Sequence, residues 1–533
     1  MNTGSSRRGL AYLITGTTLL RLFYVNFVPL APEEAYYWKY AKHLALSYFD
    51  HPPLTAYIIA FFTWIGGDSA FFVRLGAVIL SAALAILLYA IANRLFGNPR
   101  LALLTVLTAN CTVLFSLGSV IITPDTPLLF FWALSVYSLV RLRETDDRRW
   151  WYVVGLGVGL GLLSKYSAVL IVPGIFVYLL VSPTQRKWLL TPHPYGGLAV
   201  ALLVFWPVFA WNYSNHWASF AFQLPSRFSQ GIRLRSGFML QLLLTQVGLL
   251  TPYIFILAIA GWLDSARQAI RTKAVKYALL FWVACPVYAV FSLSSLVRLV
   301  KMNWLAPAYV TSIIAGIAWL NAASGKWSKR FRRGFKPGLV VGLAIVILAH
   351  LLPLIPVVPM PKFDTWSGWK EMVSRVTQIK EEMGPDTFIF GDDYQIPSEI
   401  TFYTPNHEPT YSGEVIGKEG LQYDYWTITG DLVGRNAIFV RSRTPGRGDM
   451  ERLRKHFESV DEDTPLEIIR HNRVFRRFYI FRCYGYKGPL ASVSHDVLLP
   501  DSNRIPFIPG TPCGLASLPT HVSGAAAGDM AGT

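Results

Sequence analysis

Between residues 10 and 356 the sequence keeps returning to apolar runs of roughly 17 to 25 residues, the length a helix needs to cross the hydrocarbon core of a bilayer. In lipid every backbone N–H and C=O must be satisfied within the protein, so such a run is either a helix or part of a closed barrel. The alternation of a barrel strand is missing, and the chain is expected to be a polytopic α-helical membrane protein. Spans are expected over 10–30, 70–94, 101–118, 124–142, 151–164, 166–182, 197–212, 238–262, 277–296, 303–321 and 337–356, about eleven transmembrane helices in all. The segment 54–65, after Pro52-Pro53, is too short to cross and is expected to be a re-entrant or interfacial helix. With 53% hydrophobic and only 15% charged residues, an ordinary soluble fold of 533 residues is excluded.

Basic residues set the expected topology, because Lys and Arg gather in cytoplasmic loops. If 54–65 does not cross and the N-terminus is inside, every second loop is basic: Arg7 and Arg8; Arg94 and Arg100; Arg141, Arg143, Arg148 and Arg149; Arg186 and Lys187; Arg267, Arg271, Lys273 and Lys276; and the run from Lys326 to Lys336. The net charge of +17 is then a matter of topology, and no nucleic-acid partner is expected. The opposite loops and everything beyond about residue 357 fall outside the cytoplasm. The first apolar run is long and has no convincing small-residue cleavage site after it, which suggests an uncleaved signal anchor.

The division expected is a transmembrane domain over 1–356, a small extracytoplasmic α/β domain over 357–486 and a disordered Pro/Gly/Ser/Ala-rich tail over 487–533. Within the second, 367–383 has helical spacing with Trp369, Met372, Val373, Val376 and Ile379 on one face, and 387–390 and 437–440 look like strands. Cys111 and Cys285 read as packed thiols, whereas Cys483 and Cys513 lie on the oxidising side, where pairing is one option. No CxxC or clustered His/Cys pattern suggests a structural metal.

Charged and aromatic residues on the outer side carry the candidate chemistry. Glu33-Glu34-Ala35-Tyr36-Tyr37-Trp38 follows the first span and reads as an amphipathic loop on the membrane surface; the bland alternative is a pair of solvated acids before a helix. Asp50-His51-Pro52-Pro53 is a turn or a second polar element of the same site. Asp125, at the start of a span, is either an N-cap or an acid facing the same cavity as Glu33 and Glu34. Lys165 lies between two apolar segments, either snorkelling or binding a phosphate, with Arg74, Arg298 and Lys301 as further phosphate-binding candidates. Carboxylates to activate a hydroxyl, cations to hold a departing phosphate and aromatic surface for sugar and lipid describe glycosyl transfer from a lipid phosphate.

In order along the chain, EEAYYW, YFDHPPL, Val73-Arg74-Leu75, ITPDTPLLFFW, LLSKYSAVL and Lys301-Met302-Asn303-Trp304-Leu305-Ala306-Pro307 resemble bacterial membrane glycosyltransferases of the GT-C type. These are similar to the dolichyl-phosphate-mannose protein mannosyltransferases and to the aminoarabinose transferases of lipid A. The resemblance spans about residues 10 to 350. It implies a polyprenyl-phosphate sugar donor, inversion at the anomeric carbon without a metal or cofactor, an extracytoplasmic site in the bacterial inner membrane, and an envelope glycan, lipid or protein as acceptor. It places the loop carboxylate on Glu33, its neighbour on Glu34, the second acid on Asp125 and the phosphate-binding lysine on Lys165. Tyr36, Tyr37, Asp50, His51, Asn303 and Trp304 are expected to face substrate. Two departures matter: the family usually has Asp where Glu33 stands, which leaves Glu33 and Glu34 both open as the base, and the aminoarabinose branch has Lys where His51 stands. Protein O-glycosylation is the rival within the class, and a transporter or flippase the rival outside it.

Overall fold

The computed structural model describes residues 3–223, 234–322, 326–355, 365–427 and 429–489. All but the first three residues of the expected tail, and Cys513 with them, lie outside the described residues. In chain order the helices are α1 (Thr3–Tyr24), α2 (Pro32–Lys42), α3 (Leu54–Gly66), α4 (Ala70–Phe96), α5 (Pro99–Asn110), α6 (Val113–Leu117), α7 (Asp125–Thr145), α8 (Trp150–Ser164), α9 (Ile171–Val181) and α10 (His193–Ser214). They continue through α11 (Ala218–Gln223), α12 (Ser236–Leu250), α13 (Pro252–Thr272), α14 (Val275–Ser294), α15 (Ala306–Ala322) and α16 (Lys326–Leu351).

Among the described residues five helices are long and apolar enough to cross a membrane, six if one bent pair counts as a single span. That pair corrects the span expected over 238–262: α12 and α13 meet at 106°, because Pro252 has no N–H to continue the first helix and Thr251 turns the chain at φ 69°. The span expected over 101–118 is also broken. α5 stops at Asn110, and Thr112 restarts the chain as α6 by accepting a bond from the Phe115 N–H at 3.3 Å. The run over 166–182 opens as a 3-10 turn, Tyr166–Leu170, before α9. α15 runs through the middle of the bundle and is buried over most of its length. Its Gly316 lies against Gly261 of α13 so closely that a Cβ on Gly261 would stand 2.2 Å from the Gly316 nitrogen, the small-residue approach that lets membrane helices touch backbone to backbone.

Beyond residue 365 come α17 (Trp369–Met383), β1 (Phe388–Gly391), α18 (Gln395–Tyr403), β2 (Thr410–Tyr411), β3 (Ala437–Arg441), α19 (Arg447–His456), β4 (Phe457–Glu462), β5 (Leu466–Arg470) and β6 (Arg473–Tyr486). The sheet runs β2-β1-β3-β6-β4, with β5 paired to β6; the β1 pairings are parallel and the β6 pairings antiparallel. The helix and strands expected there are present, and Trp369, Met372, Val373, Val376 and Ile379 are all buried. Cys483 is buried on β6.

Met1–Val493 form one compact unit, and α2 is where its two kinds of structure meet. The acidic-aromatic segment is therefore not a surface loop, as its amphipathic composition predicts. It is a helix buried from Glu34 to Ala41, packed on α3 and covered by α18. Trp38 meets Phe402 edge to face at 5.0 Å, and Leu30 N–H donates to the Tyr403 hydroxyl at 2.8 Å.

Candidate active site

Pro32 opens α2 at a position whose N–H has no helical partner, and two glutamates follow in the first turn, where the helix dipole favours negative charge. Adjacent on a helix, they point about 100° apart. Glu34 is fully buried. It accepts from Ala31 N–H at 2.9 Å, from Ile122 N–H at 3.0 Å and from Arg74 through Nε at 2.9 Å and Nη2 at 2.5 Å, and Arg74 also donates to the carbonyls of Val28 and Pro29, both at 2.7 Å, and of Val25 at 3.4 Å. Glu34 and Arg74 thus depart from the catalytic and phosphate-binding roles the sequence suggests: each satisfies the other, and neither presents a polar atom to a substrate.

Glu33 faces the other way. It is half-buried, and Gln395 Nε2, at the start of α18, donates to its Oε1 at 3.2 Å. Burial pushes its carboxyl above the usual range, and the field of Lys301 and the Gln395 hydrogen bond oppose the rise. Lys301 is exposed and also acts on Asp50. The Asp50 carboxyl is pushed up to about 6 by burial, a shift its bonds from the Tyr40 and Tyr36 hydroxyls limit. Its other oxygen lies 3.9 Å from His51 Nε2, and the His51 ring stands edge-on to Tyr37 at 5.6 Å. Tyr37 follows Glu33 by one turn of α2, on the same face, and lies in the combined fields of Asp50, Tyr394, Glu33 and Asp125.

A second cluster joins three distant segments. Lys165 is an extended residue between α8 and the following 3-10 turn, and that break lets its Nζ reach both oxygens of Asp125 at 2.8 Å. Asn303, in the turn before α15, donates to Asp125 Oδ2 at 2.5 Å. The Asp125 carboxylate is thus turned to side chains of other segments instead of capping its own helix. Lys165 keeps a third N–H beyond the two it gives Asp125.

The remaining expected residues are placed as follows. Tyr36 is buried, stacked parallel to Tyr423 at 6.2 Å, with its hydroxyl accepting from Gln422 N–H at 3.1 Å, so it joins α2 to the 421–425 turn instead of facing substrate. The Gln422–Trp426 segment packs on α2, and Lys39 sits 4.1 Å over the Tyr423 ring. Trp304 leans on Phe291 at 5.2 Å. Arg298 donates to Ser294 Oγ at 3.5 Å, a residue four positions back on its own segment. Sequence reasoning missed Tyr40 and Gln395. Tyr40 was visible as the residue one turn after Tyr36 on the face that meets Asp50, whereas nothing local marks Gln395.

The family model described as dolichyl-phosphate-mannose-protein mannosyltransferase matches residues 50–211, a stretch that holds Asp50, His51, Asp125 and Lys165. The lipid A galacturonosyltransferase RgtD of Rhizobium johnstonii is 29% identical over 444 residues, 81% of this chain and 90% of that protein. The crystal structure of ArnT from Cupriavidus metallidurans bound to undecaprenyl phosphate superposes with a TM-score of 0.62 at 16% identity, covering 89% of this chain and 98% of that one. The chain is a membrane glycosyltransferase with the fold of ArnT. An undecaprenyl phosphate-α-4-amino-4-deoxy-L-arabinose arabinosyl transferase of Edwardsiella ictaluri is 27% identical over 331 residues, 59% of this chain and 58% of that protein. In this glycosyltransferase α2 presents Glu33 and Tyr37 on one face, Tyr37 meets the His51 ring beside Asp50, and Asp125, Lys165 and Asn303 are in contact, while Glu34 and Arg74 lock the helix that presents Glu33.

Proposed function

We propose that this glycosyltransferase moves a sugar from a polyprenyl-phosphate donor, undecaprenyl phosphate being the expected carrier, to a hydroxyl or phosphate of lipid A or a related envelope glycan, with inversion. The observation that carries this is the state of Glu33. Of the four carboxylates Glu33, Glu34, Asp50 and Asp125, it is the one that is partly open and held, among the described residues, by nothing stronger than an amide. Glu33 takes the proton of the acceptor hydroxyl as its oxygen bonds to the anomeric carbon. The bond from that carbon to the phosphate oxygen breaks, and the phosphate leaves with the electron pair. Lys301 and the free N–H of Lys165 hold the departing charge, Asp125 and Asn303 orient Lys165, and His51 and Tyr37 line the approach.

Residues 1–356 carry the transfer and 357–486 cover α2 from outside. The alternating basic loops support a cytoplasmic N-terminus, an extracytoplasmic site and residence in the inner membrane. Donor and acceptor class are supported by the relatives' names, one a lipid A galacturonosyltransferase and the others undecaprenyl-phosphate-aminoarabinose transferases. A galacturonosyl residue is the first sugar to look for.

The test is mass spectrometry of lipid A, core oligosaccharide and envelope glycoproteins from cells lacking the protein and complemented with wild type or Glu33→Gln. One defined sugar is expected to vanish on deletion, return with wild type and stay absent with a well-expressed Glu33→Gln. Full restoration by that variant, or a lipid-linked sugar trapped on the cytoplasmic face, would replace catalysis with transport.

A further inference from the structure

Gln246 is a polar residue in the middle of the buried stripe of an apolar helix. Along α12 the buried residues are Leu242, Gln246 and Leu250, spaced four apart, and the rest of the helix is half-buried or exposed. Gln246 is only 1% exposed, and an amide buried among apolar side chains is costly unless its hydrogen bonds are met. Other segments meet them. Nε2 donates to the Met302 carbonyl at 2.9 Å and reaches Thr245 Oγ1 at 3.5 Å, and Oε1 accepts from the Tyr309 hydroxyl of α15 at 3.0 Å. A carbonyl can only accept, so the amide nitrogen must face Met302, which leaves the oxygen for Tyr309.

The Met302 carbonyl shares a peptide plane with the Asn303 N–H. Holding it therefore orients the residue whose side chain reaches Asp125 Oδ2 at 2.5 Å. Lys301 comes one residue before, and its side chain is exposed, so the backbone is what fixes its place. α12 touches the same stretch a second time, where the Arg235 N–H, one residue before the helix, donates to the Leu296 carbonyl at 2.7 Å. The connection from α14 to α15 is thus tied to α12 on both sides of Lys301. The 106° bend at Thr251 lets α12 lie against this connection while α13 packs on α15.

We propose that Gln246 is a positioning residue of the transfer reaction: through the Met302 carbonyl it sets the backbone that carries Lys301 toward the departing phosphate and Asn303 onto Asp125. Its bond from Tyr309 anchors the amide to α15 and does not touch the reaction. The role rests on the reading that Lys301 and Lys165 hold the donor phosphate.

The test combines backbone hydrogen exchange over residues 296–305 with affinity for undecaprenyl phosphate by native mass spectrometry, both on the full chain in detergent. Gln246→Met keeps the length and removes both bonds. It should lower protection of residues 300–305 and weaken undecaprenyl phosphate binding, each about tenfold, the loss of one buried hydrogen bond. Tyr309→Phe removes only the α15 anchor and should leave that affinity within about twofold of wild type. Gln246→Glu, whose neutral carboxyl still donates to Met302 and accepts from Tyr309, should match wild type at the same pH in mild acid and lose affinity as it ionises, so a poorly folded Gln246→Met does not decide the outcome. Unchanged protection in Gln246→Met overturns the proposal. Equal losses of affinity in Gln246→Met and Tyr309→Phe overturn it too, because they reduce Gln246 to a packing contact. If Lys301→Ala leaves affinity unchanged while Gln246→Met still loosens residues 300–305, the positioning stands and the donor role of Lys301 falls.

Discussion

Gln395 donates its amide hydrogen to Glu33 across 362 residues of sequence, with Nε2 3.2 Å from Oε1, so the sheet-bearing region reaches directly to the carboxylate proposed as the base. The contact restrains a carboxyl that burial pushes upward, and Lys301 adds to the restraint.

Gln395→Leu should therefore move the acid limb of kcat/KM to higher pH. A general base works when deprotonated, and removing a donor to its charged form raises its pKa further. The high-pH plateau should change little. A pH–rate profile with purified polyprenyl-phosphate donor checks this, and a limb that stays in place would detach Gln395 from the base.

Glu33→Gln and Glu34→Gln should separate activity from stability. Loss of a general base costs about 10²- to 10⁴-fold in rate, with thermal unfolding nearly unchanged. Glu34→Gln leaves the Arg74 charge buried and unpaired, a loss of about 3–5 kcal/mol that melting in detergent would show as a clearly lower Tm.

Asp125 and Lys165 should behave as one unit. Asp125→Asn and Lys165→Met are each expected to depress kcat/KM, and the double variant should be less impaired than the product of the two by a coupling energy of about 0.5–3 kcal/mol. Additive losses would mean that the two act separately.

Glu399, on α18, is fully buried, and among the described residues neither of its carboxyl oxygens has a hydrogen-bond partner. Burial, with Glu34 and Glu33 nearby, pushes its pKa well above the usual range, opposed by Arg476 and Arg74. Between the ordinary glutamate pKa and this raised value the folded state binds the extra proton, so stability falls as pH rises through that window. Glu399→Gln should be at least about 2 °C more stable than wild type near neutral pH. It should gain little in mild acid, as differential scanning fluorimetry at both pH values would show.

Much of this arrangement is readable in the sequence because charge inside apolar sequence is rare enough to mark itself. Asp125 and Lys165 stand out for that reason, and they do meet. The helix and strands beyond residue 365 follow from their periodicity. What the sequence does not separate is Glu33 from Glu34: they are chemically identical neighbours, and their different states depend on Arg74 and Ile122 on one side and Gln395 on the other. The bend at Thr251 was signalled by Pro252, but the unbroken hydropathy around it hides the turn. Tyr36 was misread because an aromatic residue beside acids has the same composition whether it faces a sugar or packs on Tyr423.

The position of α2 between bundle and sheet fixes an order of assembly. Its residues are among the first to leave the ribosome, yet Glu33 waits for Gln395, Lys39 for the Thr410 carbonyl and Tyr36 for the Gln422 N–H. A nascent chain can insert most of its helices long before these partners are translated, so an interrupted product would be a membrane-integrated protein without a finished reaction centre.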